Sequence, residues 1–229
     1  MNSSRPAYCE WVRRRLEETP STRNPGRPED RGAAVHLGLL GDPPRLVAIV
    51  RTDGEDRHGG QFALPGGRQE EGETPWECAQ RETQEEIGSE LPPLLLGHLG
   101  EFNTAVTGYR VQVFVGHYPE APTLWSPDPV EVAAILEIPI ERFLPELESW
   151  PRGADPWSLP ITFGFDFPLQ PHCVAGSVPP KGRGQRFRRR QEEIETPYIW
   201  GLTARIMYDF LDRIWIPGIE PNGSASPGS

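Results

Sequence analysis

Lysine is almost missing from this sequence: Lys181 is the one lysine among 23 basic residues, so arginine is the chain's habitual cation. No apolar run approaches the roughly 20 residues that a bilayer span needs. The first residues, "MNSSRPAYCEWVRRRLEETP", lack a hydrophobic stretch followed by a cleavage site, and Glu10, Glu17 and Glu18 argue against an organellar transit peptide. A cytoplasmic protein without a membrane partner is the expectation. Cysteine is scarce as well: Cys9, Cys78 and Cys173 are isolated and odd in number, which speaks against a disulfide framework or a paired-cysteine zinc site and suits a reducing compartment. His36, His58, His98, His117 and His172 are scattered without metal-ligand spacing, and no serine occupies a Gly-x-Ser-x-Gly elbow. Positive charge is in deficit, with 23 basic against 33 acidic residues and a net charge of −10, so bulk attraction to nucleic acid or anionic membrane is not expected.

What is present fits one domain with ragged ends, as a length of 229 residues allows. Tyr8, Trp11, Val12 and Leu16 recur at helical spacing and predict a helix before the Pro- and Gly-broken "PSTRNPGRPEDRG". "AAVHLGLL" and "RLVAIVRT", joined by "GDPP", predict a β-hairpin. "PLLLGHLGEFN", "YRVQVFVGHY" and "EVAAILEIP" predict further strands, the last followed by a short helix at "IERFLPEL", and "ITFGFDF" is another strand candidate. In "YIWGLTARIMYDFLDRIW", Ile199, Leu202, Ile206, Phe210 and Ile214 are expected on one helical face. Interleaved strands and helices predict an α/β fold, a mixed sheet with helices on both faces. The expected divisions are 1–32 for the N-terminal helix and linker, 33–216 for the domain and 217–229 for a disordered tail.

"PGGRQEEGETPWECAQRETQEEIG", residues 65–88, crowds seven glutamates between glycines. Thr74, Pro75 and Glu77 supply an N-cap, a first-turn proline and a capping-box partner, and Gly88 suits a left-handed stop. On the helix so bounded, Glu82, Glu85 and Glu86 stand at i, i+3 and i+4, with Trp76, Thr83 and Ile87 on a different stripe. Converging carboxylates repel one another unless a hard cation such as Mg²⁺ accepts their oxygens; the alternative is the solvated side of a surface helix. Upstream, Gly66 and Gly67 allow backbone to approach a ligand or metal closely.

Gly67, Glu73, Arg81-Glu82, Glu85-Glu86 and Gly88, at their particular gaps, resemble the Nudix box, a loop-helix-loop of hydrolases acting on nucleoside diphosphates linked to another group. Two apolar positions of the box are polar here, Thr83 and Ser89, while every acidic position is kept. "VRTDGEDRHGGQFALPGG" is similar to the stretch before the box in the coenzyme A diphosphatase branch, with Thr52 for Ser and Leu64 for Phe, and without that branch's characteristic Asp and extra box residue. The similarity spans about residues 33 to 213 and implies a Nudix-type α/β/α sandwich.

The resemblance implies hydrolysis of a diphosphate with Mg²⁺ or Mn²⁺. Such a reaction needs cations to offset charge on the phosphoryl oxygens and a water in line with the broken bond. By resemblance Glu82 and Glu86 are direct metal ligands and Glu85 is a ligand or a proton acceptor; Glu73 and Arg81 are expected to pair as support. Glu131 in "DPVEV" is a candidate general base or a surface acid beside a strand. Arg51 and Arg57 precede the box at spacing compatible with phosphate contact, or are surface charges. The expected partner is a small-molecule nucleoside diphosphate derivative, coenzyme A foremost and ADP-ribose next, with a homodimer as the protein partner considered. "KGRGQRFRRR", with Phe187 among its arginines, invites a Nudix-like RNA-binding reading, but a solvated loop is preferred and a contact with the extra phosphate of coenzyme A is a third option.

Overall fold

The computed structural model describes residues 5–23, 31–52, 60–89, 93–104, 108–118, 125–155, 162–164, 171–173 and 198–219. The chain opens with α1 (Ala7–Glu18) and β1 (Thr22–Arg23), then β2 (Arg31–Leu40), β3 (Arg45–Arg51), β4 (Phe62–Ala63) and β5 (Gly66–Arg68). Helix α2 (Pro75–Ile87) leads to β6 (Leu94–Asn103), β7 (Tyr109–Tyr118) and β8 (Val132–Pro139). A 3₁₀ turn (Ile140–Phe143) runs into α3 (Leu144–Glu148), followed by β9 (Thr162–Gly164), β10 (Pro171–Cys173), β11 (Tyr198–Trp200) and α4 (Gly201–Phe210).

The main sheet runs β1-β6-β7-β2-β3-β8-β10, with β4 added to β3 and β5 to β2. It is mixed: β2 lies parallel to β7 and β1 to β6, whereas β2–β3, β3–β8 and β6–β7 are antiparallel. β2 and β3 form the predicted hairpin, with Gly38 opposite Val47. Because layers cover both faces of these central strands, their sequences read as nearly unbroken apolar runs.

Strand alternation divides the interior in two. Leu46, Ala48 and Val50 of β3 face the larger core with Leu37 and Leu39 of β2, beside Val12 and Leu16 of α1 and Ile206 and Phe210 of α4. Val47 and Ile49 lie in a second cluster with Leu40 and Ile87, and Ala34 packs with Cys78 and Ala79 of α2. The result is the expected α/β/α sandwich. No helix among the described residues is long and apolar enough to cross a membrane.

The C-terminal segment corrects one expectation. Ile199 does not begin the helical face; it lies in β11, opposite Phe163 of β9. Tyr198-Ile199-Trp200 is a β-branched and aromatic run that finds a strand partner, and Gly201 at φ 66° turns the chain into α4. The helix continues through a π-helical stretch (Leu211–Trp215) and a last turn (Ile216–Ile219). Of "ITFGFDF" only Thr162–Gly164 is a described strand; the rest of it, Arg57, the basic run at 181–190 and the tail from 220 lie outside the described residues.

His36 is the one fully buried ring on β2 whose charge state the fold dictates. It meets Trp76 and Tyr118 edge-on, and its Nδ1 pairs with the Tyr118 hydroxyl at 3.3 Å. Burial pushes its pKa down from 6.5 to about 3, so the folded protein holds it neutral. The unfolded chain binds the extra proton between those values. Stability from this group is complete above pH 6.5 and is lost as pH falls toward 3, with a limiting slope of about 1.4 kcal/mol per pH unit. His36→Gln should flatten the loss of stability between pH 6 and 4, measured by denaturant titration at each pH; an unchanged slope would contradict a neutral buried imidazole.

Candidate active site

Helix α2 is built as its sequence requires. Thr74 Oγ1 accepts from Glu77 N at 3.3 Å, and the Glu77 carboxylate accepts from Thr74 N at 2.8 Å, closing the capping box. Gly88 ends the helix at φ 60°, ψ 38°, where a Cβ would stand 2.3 Å from Ser126 O. Glu70 and Glu71 are exposed in the preceding loop.

Arg81 holds that loop to the helix. Its Nε and Nη2 donate to the two oxygens of Glu73 at 2.9 and 3.1 Å, Nη2 also to Arg68 O at 3.0 Å, and Nη1 to Glu82 Oε1 and Glu85 Oε2, each at 3.0 Å. A guanidinium has five N–H donors, and all of them are engaged. Its hydrogen bonds hold the Glu73 carboxyl below its ordinary range, and Glu73 in turn raises Arg81. The structure thus brings Glu73 and Arg81 together, and it gives Glu82 and Glu85 a shared positive partner.

Glu86 is placed differently. Its side chain is 1% exposed, against 60% for Glu85. It accepts from Gly66 N at 2.8 Å and meets Arg51 Nη1 at 3.3 Å. Burial drives its pKa up to about 7; Gly66 N–H and Arg51 oppose the rise, while the charges of Glu82 and Glu131 add to it. Burial also raises Glu82, opposed by Arg81 and reinforced by Glu85 and Glu131. Gly67 lies so close that a Cβ there would fall 2.3 Å from a Glu82 carboxylate oxygen, so any larger residue would push the Glu82 carboxylate from its present place.

The loop before β8 carries Glu131 to the same place. Ser126 N donates to Ile87 O and Asp128 N to Glu86 O, each at 3.1 Å, so the loop is seated on the last turn of α2. Glu131 N in turn donates to Asp128 O at 3.2 Å. Sequence reading singled out Glu131 but passed over Asp128, although Asp-Pro in "SPDPVEV" is a turn signal whose side chain and backbone anchor loops. Of the remaining sequence-predicted site residues, Arg51 and Gly66 contact Glu86, and Arg57 lies outside the described residues.

Among the described residues no three His, Cys, Asp or Glu side chains stand at metal-binding separation. The carboxylates are instead engaged in ion pairs: Arg81 takes up oxygens of Glu82 and Glu85, and Arg51 one oxygen of Glu86. The donor set is nonetheless one for a hard cation. It consists only of carboxylate oxygens, on Glu82, Glu85 and Glu86, and one of these is buried at an energetic cost that an ion would offset.

Residues 30–158 match the sequence profile of the NUDIX domain, more than half of the chain. The chain is 33% identical over 190 residues to an uncharacterized Nudix hydrolase NudL of Yersinia pestis (strain Pestoides F), covering 82% of this chain and 81% of that one. It is 29% identical over 190 residues to the protein of the same description in Photorhabdus laumondii, covering 82% and 87%. Among solved structures it is similar to a MutT protein from Methanosarcina mazei Go1, at 20% identity and a TM-score of 0.42 over 55% of this chain and 85% of that one. With the profile spanning the hairpin, the glutamate-bearing helix and the Glu131 loop, the chain belongs to the Nudix family of hydrolases.

Proposed function

We propose that the chain uses Mg²⁺ or Mn²⁺ to hydrolyse the diphosphate of coenzyme A or its derivatives, leaving a 4′-phosphopantetheine product and adenosine 3′,5′-bisphosphate. The observation that supports a cation-dependent reaction is Glu86: a carboxylate held in the interior beside two further acids, with one N–H and one guanidinium to compensate it. Packing alone gives no reason for a charge at that position.

When bound, the cation would offset charge developing on the phosphoryl oxygens and make a water acidic enough to attack phosphorus. Glu82 and Glu86 would hold it, and Glu85 would add an oxygen or take a proton. Glu131 would accept the proton of the attacking water, since a carboxylate on an exposed loop can reach toward substrate. Water oxygen bonds to phosphorus as the phosphoanhydride P–O bond breaks, and the departing phosphate carries away the bond's electrons. Arg51 and Arg57 would meet diphosphate oxygens, and Gly66 and Gly67 would let the backbone lie close to them. Arg81 and Glu73 would contribute support, because an arginine that remains protonated moves no proton.

The spacing of "VRTDGEDRHGGQFALPGG" favours coenzyme A. Thr52, Leu64 and the missing Asp of that branch favour a second reading, ADP-ribose or another nucleoside diphosphate derivative. A panel of diphosphates assayed with Mg²⁺ separates them: the first reading expects the highest kcat/KM for coenzyme A, and a preference for ADP-ribose selects the second.

Both readings expect turnover to stop in excess EDTA and to return with Mg²⁺; hydrolysis indifferent to chelator would contradict them. Glu86→Gln should lower kcat at least about a hundredfold, the scale on which a single electrostatic group at a transition state acts. The fold should hold, because glutamine keeps an oxygen for Gly66 N–H and the Arg51 guanidinium, 28% exposed, can turn to water. Wild-type turnover in that variant would remove Glu86 from the metal site.

A further inference from the structure

Thr52 follows Arg51 at the end of β3, and two hydrogen bonds leave it for one stretch of chain. Its N donates to Glu131 O at 3.0 Å, and its Oγ1 donates to Val130 O at 2.5 Å. The β3–β8 ladder slips at this point: Val50 faces Ala134 but Arg51 faces Val132, so an extra residue enters β8 and re-aims the chain just after Glu131. On the other side of the loop, Asp128 Oδ1 accepts from Val130 N at 2.8 Å, and Asp128 O accepts from Val132 N at 2.8 Å. Asp128 N bonds Glu86 O, while the Arg51 side chain bonds the Glu86 carboxylate. Two consecutive residues, Arg51 and Thr52, therefore register both Glu86 and the loop bearing Glu131.

Packing anchors the two ends of this loop, where Trp125 and Val132 are buried in the second core cluster, but not its tip. Val130 is 77% exposed and Glu131 is exposed beside it, so the hydrogen bonds at the tip set its position there. We infer that Thr52 is a positioning residue: through its hydroxyl bond to Val130 O it fixes the Glu131 loop over the Glu82 and Glu86 carboxylates and so keeps Glu131 in place for proton transfer. The inference rests on the role proposed above for Glu131. The exposed Val130 carbonyl can turn to water when the hydroxyl is lost, so the fold is not at stake. Placement is, and misplacement of a proton acceptor appears in kcat more than in KM.

Thr52→Val retains the β-branched shape and the backbone N–H and removes only the hydroxyl; Thr52→Ser retains it. The test measures kcat, KM and melting temperature for wild type, T52V, T52S, E131Q and T52V/E131Q, with coenzyme A and ADP-ribose as probes in Mg²⁺. The inference expects T52V to lose about tenfold in kcat, as one hydrogen bond's worth of positioning implies. KM should stay within about twofold and the melting temperature should hold. T52S should recover the rate, and T52V should cost nothing further in the E131Q background, because residues acting through one group are not additive. Full activity in T52V alongside a crippled E131Q overturns the inference and leaves the role of Glu131 standing. Full activity in E131Q removes that role and the inference with it. Equal losses from T52V in both backgrounds, with or without a lowered melting temperature, assign Thr52 a role independent of Glu131 and overturn it too.

Discussion

Carboxylates gathered at the end of one helix must be compensated, and the arrangement around α2 follows from that requirement. Arg81 meets it on the outer side by spending every N–H donor on Glu73, Glu82, Glu85 and the Arg68 carbonyl. On the inner side, among the described residues, Glu86 is answered only by Gly66 N–H and Arg51. The outer acids are thus well paired at a partly wet surface, where ion pairs cost little. The inner acid is left under-compensated in the interior, where a charge is expensive. That asymmetry makes Glu86 the acid of the group whose charge the surrounding chain compensates least.

The scaffold makes the asymmetry possible. β2 and β3 are buried on both faces and form a stiff centre, and β5 pairs onto β2 to bring Gly66 and Gly67 against α2. Capping at Thr74 and the left-handed Gly88 give α2 definite ends, so its last turn presents Glu86 inward and Glu85 outward. Small side chains on both partners, Ala34 on β2 and Cys78 and Ala79 on α2, let helix and sheet lie close together. The catalytic proposal needs this rigidity, because a metal site built on a helix and a short strand holds its donors better than one built on loops alone.

Loops then bring in what helix and sheet cannot. The chain between β7 and β8 returns to the end of α2 and seats itself by backbone bonds from Ser126 and Asp128, and the slip in the β3–β8 ladder aims it. Glu131 enters the electrostatic neighbourhood of Glu82 and Glu86 by this route, although 45 residues separate it from Glu86 in sequence, the difference between 131 and 86. Family membership accounts for the hydrolytic scaffold. Preference among diphosphates belongs to loops, because fold and box fix reaction type and leave selectivity elsewhere.

Local chemistry was legible in the sequence wherever it depends on near neighbours. Thr74, Pro75, Glu77 and Gly88 announced both ends of α2, alternating apolar runs announced the hairpin and the three long strands, and the box spacing announced the family. Ile199 misled because a β-branched residue beside two aromatics suits either a helix face or a strand, and only the presence of Phe163 on β9 chose between them. Helical spacing also put Glu82, Glu85 and Glu86 on equal terms. Which of them is buried, which shares Arg81 and which leans on Arg51 depends on where β3 and β5 run beneath the helix. Periodicity is a property of a segment taken alone, so sequence determined the elements and the acids they carry. Burial and pairing are relations between segments far apart in the chain, and tertiary structure alone decided them.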